Sequence, residues 1–469
     1  MVLYVVELAR RVAGEYVAVV VGHQGNEVRA AIEAERPHEP VVIVEQAQPL
    51  GTGHAVQRAR DVLRQMGWSC SAYLILNADT PLLQEGTVQE LVRLHWEERA
   101  TISLLTTIME NPDGYGRVIR GANGRVRRIV EDRDASATER RVREVNVGTY
   151  VVDGPFLVEA VDKLRPRNAE AECYLTDLVA LAAERGLTVS ALTVQDASEA
   201  IGINTREQLA AAEQVFRRRI CGHWMAQGVT IRDPASTVID ASVVIGRDTI
   251  LYPGVMLEGR TTIGEACVIR SHTRISDSEL GNRVLVQDHC VIQDARVEDE
   301  AVVGPFAHLR PGSVLRRGAK VGNFVELKQT ELGEGSKANH LTYLGDAKIG
   351  KGVNVGAGTI TCNYDGYRKH GTVIEDDVFV GSDTQLIAPV TIGRGAVIAA
   401  GTTVTGDVPP DALAIARVPQ VNRPGWAIRR RALLAQGGGG EERSVQKDGA
   451  RKAHSNRLAE DQNRKPPML

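Results

Sequence analysis

The chain has 469 residues, enough for two or three domains at roughly 150 residues each, so a single small module is excluded. It carries 56 Lys and Arg against 59 Asp and Glu, a formal charge of −3, which leaves no basic excess to hold a nucleic acid backbone. Glycine is abundant at 46 and aromatic residues are scarce at 4%, a composition that favours many turns around a thin aliphatic core.

The first part of the chain alternates helical and strand periods. Val2, Val5, Val6, Ala9 and Val12 recur at helical spacing, and the apolar run from Tyr16 to Gly22 has the look of a buried parallel strand. Strands are expected again at 41–44, 72–76, 101–106 and 147–152, with helices over 55–65, 88–98 and 175–185. This pattern predicts an α/β sheet with helices on both faces. Six cysteines (Cys70, Cys173, Cys221, Cys267, Cys290, Cys362) lie far apart with no C-x-x-C pair, which argues against a zinc cluster or disulfide framework and for a reducing, cytoplasmic compartment. The start has no basic segment before its apolar stretch, which Glu7 interrupts, so no signal peptide is expected; no apolar run nears the roughly 20 residues of a membrane span.

After about Ile231 the grammar changes. An aliphatic residue precedes glycine at 245, 263, 280, 303, 321, 332, 349, 355, 380 and 392, with separations of about 18, 17, 23, 18, 11, 17, 6, 25 and 12 residues. Most are near multiples of six, the signature of a hexapeptide-repeat parallel β-helix whose aliphatic residues point to the axis. The interval of 25 holds Gly358 to Gly371, an insertion that a solenoid can carry only as a loop from one face, and such loops serve binding. Beyond Trp426 the periodicity ends, and low hydrophobicity with mixed charge predicts a disordered tail. The expected domains are 1–204 (α/β), 205–228 (helical linker), 229–426 (β-helix) and 427–469 (disordered tail).

Several residues suit chemistry. Asp79 follows a predicted strand at the carboxyl edge, where open α/β sheets bind ligands, and a carboxylate there suits Mg²⁺; a helix cap is the plainer reading. The glycines of Gln46 to Ala55 would let backbone approach a planar base. Gly116, Glu131 and Asn146 fall in small or polar punctuations at strand edges. In the solenoid, Arg310 and Lys328 are about 18 residues apart, one coil, so they are expected to stack as an anion site for phosphate. His340 is expected about one coil later, close enough to act as general base toward a ligand held by those cations.

Together, L-G-T-G-H-A, G-Y-G-R, L-R-P-G, K-x-N-H-L-T-Y-L-G-D and G-x-I-T-C-N-Y-D-G resemble the bacterial bifunctional N-acetylglucosamine-1-phosphate uridyltransferase / glucosamine-1-phosphate acetyltransferase family, from Met1 to about Trp426. The resemblance implies a Rossmann-like nucleotidyltransferase domain, a helical connector at 206–227, and a left-handed β-helix that assembles as a homotrimer with acetyl-transfer sites between subunits. It implies the last steps toward UDP-N-acetylglucosamine, precursor of peptidoglycan and lipopolysaccharide, with glucosamine 1-phosphate, acetyl-CoA, UTP and N-acetylglucosamine 1-phosphate as reactants and no nucleic acid or membrane partner. By motif, His340 is the acetyltransferase base, and Arg310, Lys328, Tyr343 and Asn354 hold the sugar phosphate, assisted by Lys369. Ala357, Asn363, Tyr364, Ser382, Ala400 and Arg417 match acetyl-CoA contacts. Gln46, Gly51 and Thr52 match uracil recognition; Gly116, Glu131 and Asn146 match sugar-nucleotide contacts; Asp79 and Asn204 match Mg²⁺ ligands.

One departure is large. The family begins with a strand and L-A-A-G-x-G-T-R-M, whereas this chain begins at the helix after that point. The expectation is an N-terminally truncated nucleotidyltransferase domain, short of its central first strand and phosphate-gripping loop, with little or no uridyltransferase activity beside intact acetyltransferase activity. Two other readings are a different sugar-1-phosphate nucleotidyltransferase with a regulatory β-helix, and a non-enzymatic solenoid assembly subunit. The first predicts neither base nor CoA loop, against His340 and Asn363-Tyr-Asp365; the second has no need of Arg310, Lys328 and His340.

Overall fold

The computed structural model describes residues 1–14, 16–35, 41–165 and 172–436. A first compact unit spans Met1–Ala416 and a second Arg417–Leu469.

The α/β half runs α1 (Val2–Ala13), β1 (Ala18–Val21), α2 (Gly25–Glu35), β2 (Val42–Glu45), α3 (Thr52–Gln65), β3 (Ala72–Ile75), α4 (Glu85–Glu97), β4 (Ile102–Ile108), β5 (Arg117–Arg120), β6 (Val126–Val130), β7 (Glu144–Asp153), α5 (Gly154–Ala160), α6 (Asp177–Glu184), β8 (Val189–Thr193) and α7 (Arg206–Ala226). Helix α1 forms because its apolar residues fall on one stripe, burying Val5, Val6 and Leu8. The single parallel sheet expected here is instead two sheets. β1 pairs in parallel with β2 alone, while β3 and β4 flank β7 and both run antiparallel to it. Only β4 with β8 is parallel in the larger sheet. A continuous apolar run such as 147–152 marks a strand buried on both faces but carries no information on direction. The core lies along β4, β7 and the helices against them, with Ile102, Leu104, Leu105, Leu91 and Val88 fully buried.

Helix α7 starts at a reciprocal cap. Thr205 Oγ1 accepts from Gln208 N, and Gln208 Oε1 accepts from the backbone N–H of Thr205 and Asn204. The chain then enters a solenoid of short parallel strands, from Thr230–Ile231 to Leu413–Ala414, in sheets of nineteen and nine strands. Each strand pairs with the one a coil later, as in Ile245↔Ile263, Ile263↔Leu280 and Leu332↔Ile349. All ten aliphatic residues that precede the repeat glycines point inward, exposed by 4% or less. Each such burial contributes roughly 1.5–3 kcal/mol, so the repeated column is the solenoid's main source of stability. Serine and threonine at the corners bond backbone carbonyls of the next coil, as Thr249 Oγ1 does to Gly264 O.

All six cysteines are free thiols, and among the described residues no helix is long and apolar enough to cross a membrane. The tail differs from expectation at its start, because residues 426–436 form a helix, α8 (Trp426–Gln436). Its W-A-I-R-R-R-A-L-L-A-Q sequence is rich in good helix formers, which outweigh its low overall hydrophobicity. Residues 437–469 lie outside the described residues.

Candidate active sites

Six of the sequence-chosen residues in the α/β half line one cleft of about 300 Å³: Thr52, Asp79, Gly116, Glu131, Asn146 and Asn204. Asp79 sits just past β3, on a turn closed by the Thr80 hydroxyl bonding Asn77 O, and its carbonyl accepts from Ile203 N at 2.9 Å. The strap before α7 is thereby pinned beside it. A Cβ on Gly202 would stand 3.5 Å from Asp79 Oδ2 and 3.9 Å from Asn204 Nδ2, so carboxylate and amide converge where Gly202 leaves room. Burial pushes the Asp79 carboxyl above its ordinary value.

Glu131 is likewise pushed up, chiefly by burial, while a hydrogen bond from the Thr176 hydroxyl at 3.0 Å opposes the shift. Asn146 donates to the Tyr150 hydroxyl at 2.7 Å and accepts from Gly148 N at 3.1 Å, fixing its amide in the wall. Gln46 and Gly51 are not among the lining residues, although Gly51 immediately precedes Thr52, which is. Gln46 Nε2 donates to Gly51 O at 3.1 Å and lies 2.9 Å from His54 Nδ1. Gly51 has φ +93°, and a Cβ there would meet Cys173 O at 2.6 Å, so only glycine fits. Asn77, Tyr150 and Thr176 also line the cleft and escaped sequence analysis; Tyr150 and Thr176 belong to no phosphate- or base-binding pattern. Among the described residues, the lining includes Asp79, Asp113 and Glu131 but neither lysine nor arginine.

In the solenoid the geometry corrects the expected column. Leu309↔Leu327 are in register, so Arg310 and Lys328 do stack one coil apart. The next position in that column is Gly345, not His340, because Lys328 pairs with Gly345. The coil is 17 residues here, and His340 falls earlier in it, opposite Asn323. Nor is the cation pair unopposed, since Arg310 Nη1 bonds Glu326 Oε1 at 2.8 Å.

Gly345 matters because a Cβ there would press on the Tyr343 hydroxyl and stand 2.7 Å from Asn363 Nδ2. Its bareness admits a polar knot in which Asn363 Nδ2 bonds Asp346 Oδ2 and lies 3.5 Å from the Tyr343 hydroxyl. The nearby Lys328 ammonium holds that of Lys369, from the inserted loop, below the ordinary lysine value. Lys328, Tyr343, Asn363 and Lys369 thus form one cluster.

His340 is exposed, and its Nδ1 lies 2.6 Å from Asn323 Oδ1. An imidazole that donates from Nδ1 to an amide carbonyl presents Nε2 as its acceptor. Asn323 was invisible in the sequence, since only the register brings it to His340. The pairings Ala338↔Val355, Val355↔Val380 and Val380↔Ile398, carried two residues onward, set His340 above Ala357, Ser382 and Ala400 in one corner column. The side chains below the imidazole are therefore all small. Asn354 stands in the neighbouring row, paired with Lys337 and Phe379. Tyr364 is exposed on the inserted loop, its hydroxyl donating to Gly366 O at 2.6 Å. Arg417 opens the second compact unit.

A cleft at the strand ends of an α/β domain, continued into a hexapeptide-repeat solenoid with an imidazole on its surface, defines a transferase with two separate centres. The nucleotidyl transferase family model matches residues 1–225, and the bacterial transferase hexapeptide (six repeats) model matches residues 242–277 and 371–406. The chain is 50% identical over 429 residues to the bifunctional protein GlmU of Pelobacter propionicus, covering 92% of each. It is 50% identical over 448 residues to that of Geobacter metallireducens (92% of this chain, 93% of the relative) and 43% identical over 429 residues to that of a Geobacillus species (92% of each). The chain belongs to the bifunctional GlmU family, and its solenoid is the family's left-handed hexapeptide β-helix.

Proposed function

We propose that the solenoid transfers the acetyl group of acetyl-CoA to glucosamine 1-phosphate, and that the α/β cleft is the place of uridylyl transfer from UTP to N-acetylglucosamine 1-phosphate, releasing UDP-N-acetylglucosamine and pyrophosphate, with this second activity much the weaker in this chain. The product is the sugar donor for peptidoglycan and lipopolysaccharide. The observation that carries the acetyl-transfer half is the imidazole of His340, oriented by Asn323 and standing over a column of small side chains.

An ammonium has no lone pair, so the 2-amino group of the sugar must lose a proton to attack. The first proton goes to water, giving the free amine; Nε2 of His340 takes a second as nitrogen bonds to the thioester carbon, the tetrahedral adduct collapses with cleavage of the C–S bond, and the departing CoA thiolate takes that proton back from His340. Lys328, Lys369, Arg310 and Tyr343 would hold the sugar phosphate, with Asn354 beside them, and positioning supplies much of the rate. Ala357, Ser382 and Ala400 leave room along the corner for the thin pantetheine arm, with Asn363 and Tyr364 adding to the acetyl-CoA contacts.

In the cleft, Gln46, Gly51 and Thr52 would receive uracil, and Gly116, Glu131 and Asn146 the sugar nucleotide. Asp79 and Asn204 offer one carboxylate and one amide oxygen, a set that suits Mg²⁺, which completes its shell with waters and phosphates. Bound there, Mg²⁺ would supply the positive charge that the cleft's own lining residues do not. The working form is proposed to be a homotrimer in the cytoplasm. Supporting that, the stacked rings of His272, His289, Phe306 and Phe324 form an exposed ladder that a second copy could cover, and all six thiols are free.

The test is thiol release from acetyl-CoA with glucosamine 1-phosphate, run beside pyrophosphate release from UTP with N-acetylglucosamine 1-phosphate and Mg²⁺. Thiol release that is lost in H340A, with the fold intact, supports the reading; no thiol from the folded chain overturns it in favour of a scaffold.

A further inference from the structure

The 25-residue coil differs from its neighbours by the loop that carries Lys369, and residues 364–369 of that loop are all exposed. Tyr367 at its tip is 92% exposed, so the tip buries no apolar side chain that could fix its shape. Hydrogen bonds do so instead. Asp365 Oδ1 accepts from Tyr367 N at 2.7 Å and Arg368 N at 2.6 Å, while Oδ2 takes His370 Nε2 at 2.8 Å. His370 N donates to Asn363 O at 2.8 Å, and Tyr364 pairs with Lys369 as an antiparallel bridge. The loop is thus a small ribbon whose two arms are tied side chain to side chain by Asp365 and His370. The carboxyl is held down at about 2, first by the Arg368 N–H and then by His370, so it is ionised and a strong acceptor.

Neighbouring residues of an extended arm point to opposite sides. With His370 turned to Asp365, Lys369 is turned the other way, to Lys328, with Asp346 and Tyr343 nearby. Repulsion from Lys328 outweighs the attraction of Asp346, so a backbone tied into the ribbon helps keep Lys369 there. We infer that His370 is a positioning residue for acetyl transfer: its bond to Asp365 braces the loop and so keeps Lys369 in the phosphate clamp with Lys328. This rests on the proposal that the solenoid acetylates glucosamine 1-phosphate.

The experiment measures steady-state thiol release by the full chain and by H370A, H370Q, K369A and the H370A/K369A pair, with melting curves for each. H370A is expected to raise KM for glucosamine 1-phosphate about tenfold with kcat within about twofold, as for a lost charge-assisted bond that acts on binding. H370Q, whose amide can still donate to Asp365, is expected to recover most of that loss. The double variant is expected to match K369A alone, because a brace has no effect once its cargo is gone. An unchanged KM in H370A, or losses that multiply in the double variant, would overturn the inference. An unmodified chain that releases no thiol would instead overturn the acetyltransferase reading beneath it.

Discussion

Replacing Asn323 by alanine tests the role proposed for His340, because among the described residues Asn323 is the side chain that pairs with its ring. The 2.6 Å bond to His340 Nδ1 lies at the surface, so in the resting enzyme water competes for both partners and its net value is about 0.5 kcal/mol. At the transition state the ring is gaining a proton, and a bond from a charged donor is worth about 1.5–3 kcal/mol. The difference, about 1–2.5 kcal/mol, corresponds to a fall in kcat of roughly 5- to 70-fold with little change in KM. Removing the base itself in H340A is expected to cost about 10²–10⁴-fold. Asn323→Asp keeps an acceptor facing Nδ1 and should retain kcat within a few fold. Thiol release followed with a thiol-reactive chromophore, at saturating acetyl-CoA and sugar phosphate, gives all four values. If N323A turns over within twofold of the parent, or N323D is as slow as N323A, then the amide is not orienting the ring.

Gly345→Ala is expected to push the Tyr343 hydroxyl and the Asn363 amide from their positions, raising KM for glucosamine 1-phosphate by about tenfold, the scale of one displaced hydrogen bond, while H340A leaves that KM near the parent value. Asp79→Ala should abolish Mg²⁺-dependent pyrophosphate release and leave thiol release unchanged, which parallel assays on one preparation would register. Because the folded-state pKa of Glu131 is raised, its contribution to stability is fully present below the ordinary glutamate value of 4.5 and is lost as pH rises through the raised value. Glu131→Gln should therefore melt above the parent at pH 7.5, with the gap closing below about pH 4.5; a gap that does not depend on pH would contradict the burial argument.

The solenoid was legible because its period is written in pairs of residues, an aliphatic and a glycine, whose spacing equals the coil. The stacking of Arg310 on Lys328 followed from the same arithmetic. His340 was assigned to that column wrongly, because one coil holds three faces and counting residues tells which coil a side chain occupies more easily than which corner. Asn323 and Gly345 were missed for a related reason. Asn323 acquires its meaning from His340, 17 positions on, and Gly345 from Tyr343 and Asn363, and neither stands out beside its chain neighbours. In the α/β half, strand positions came through from apolar runs, while the antiparallel course of β7 did not, since pairing direction depends on how the chain returns. Six cleft residues fell together because loops after strands gather at one sheet edge.

The 25-residue coil has a consequence for how such a protein can vary. Val355 pairs with Val380 as squarely as Val380 pairs with Ile398, although the first step spans seven residues more than the second. The extra chain is looped out and the stack resumes in phase. In this architecture the length of a loop and the alignment of the corner column are independent, so the reach over the substrate can be lengthened or shortened without disturbing the line of residues beneath His340.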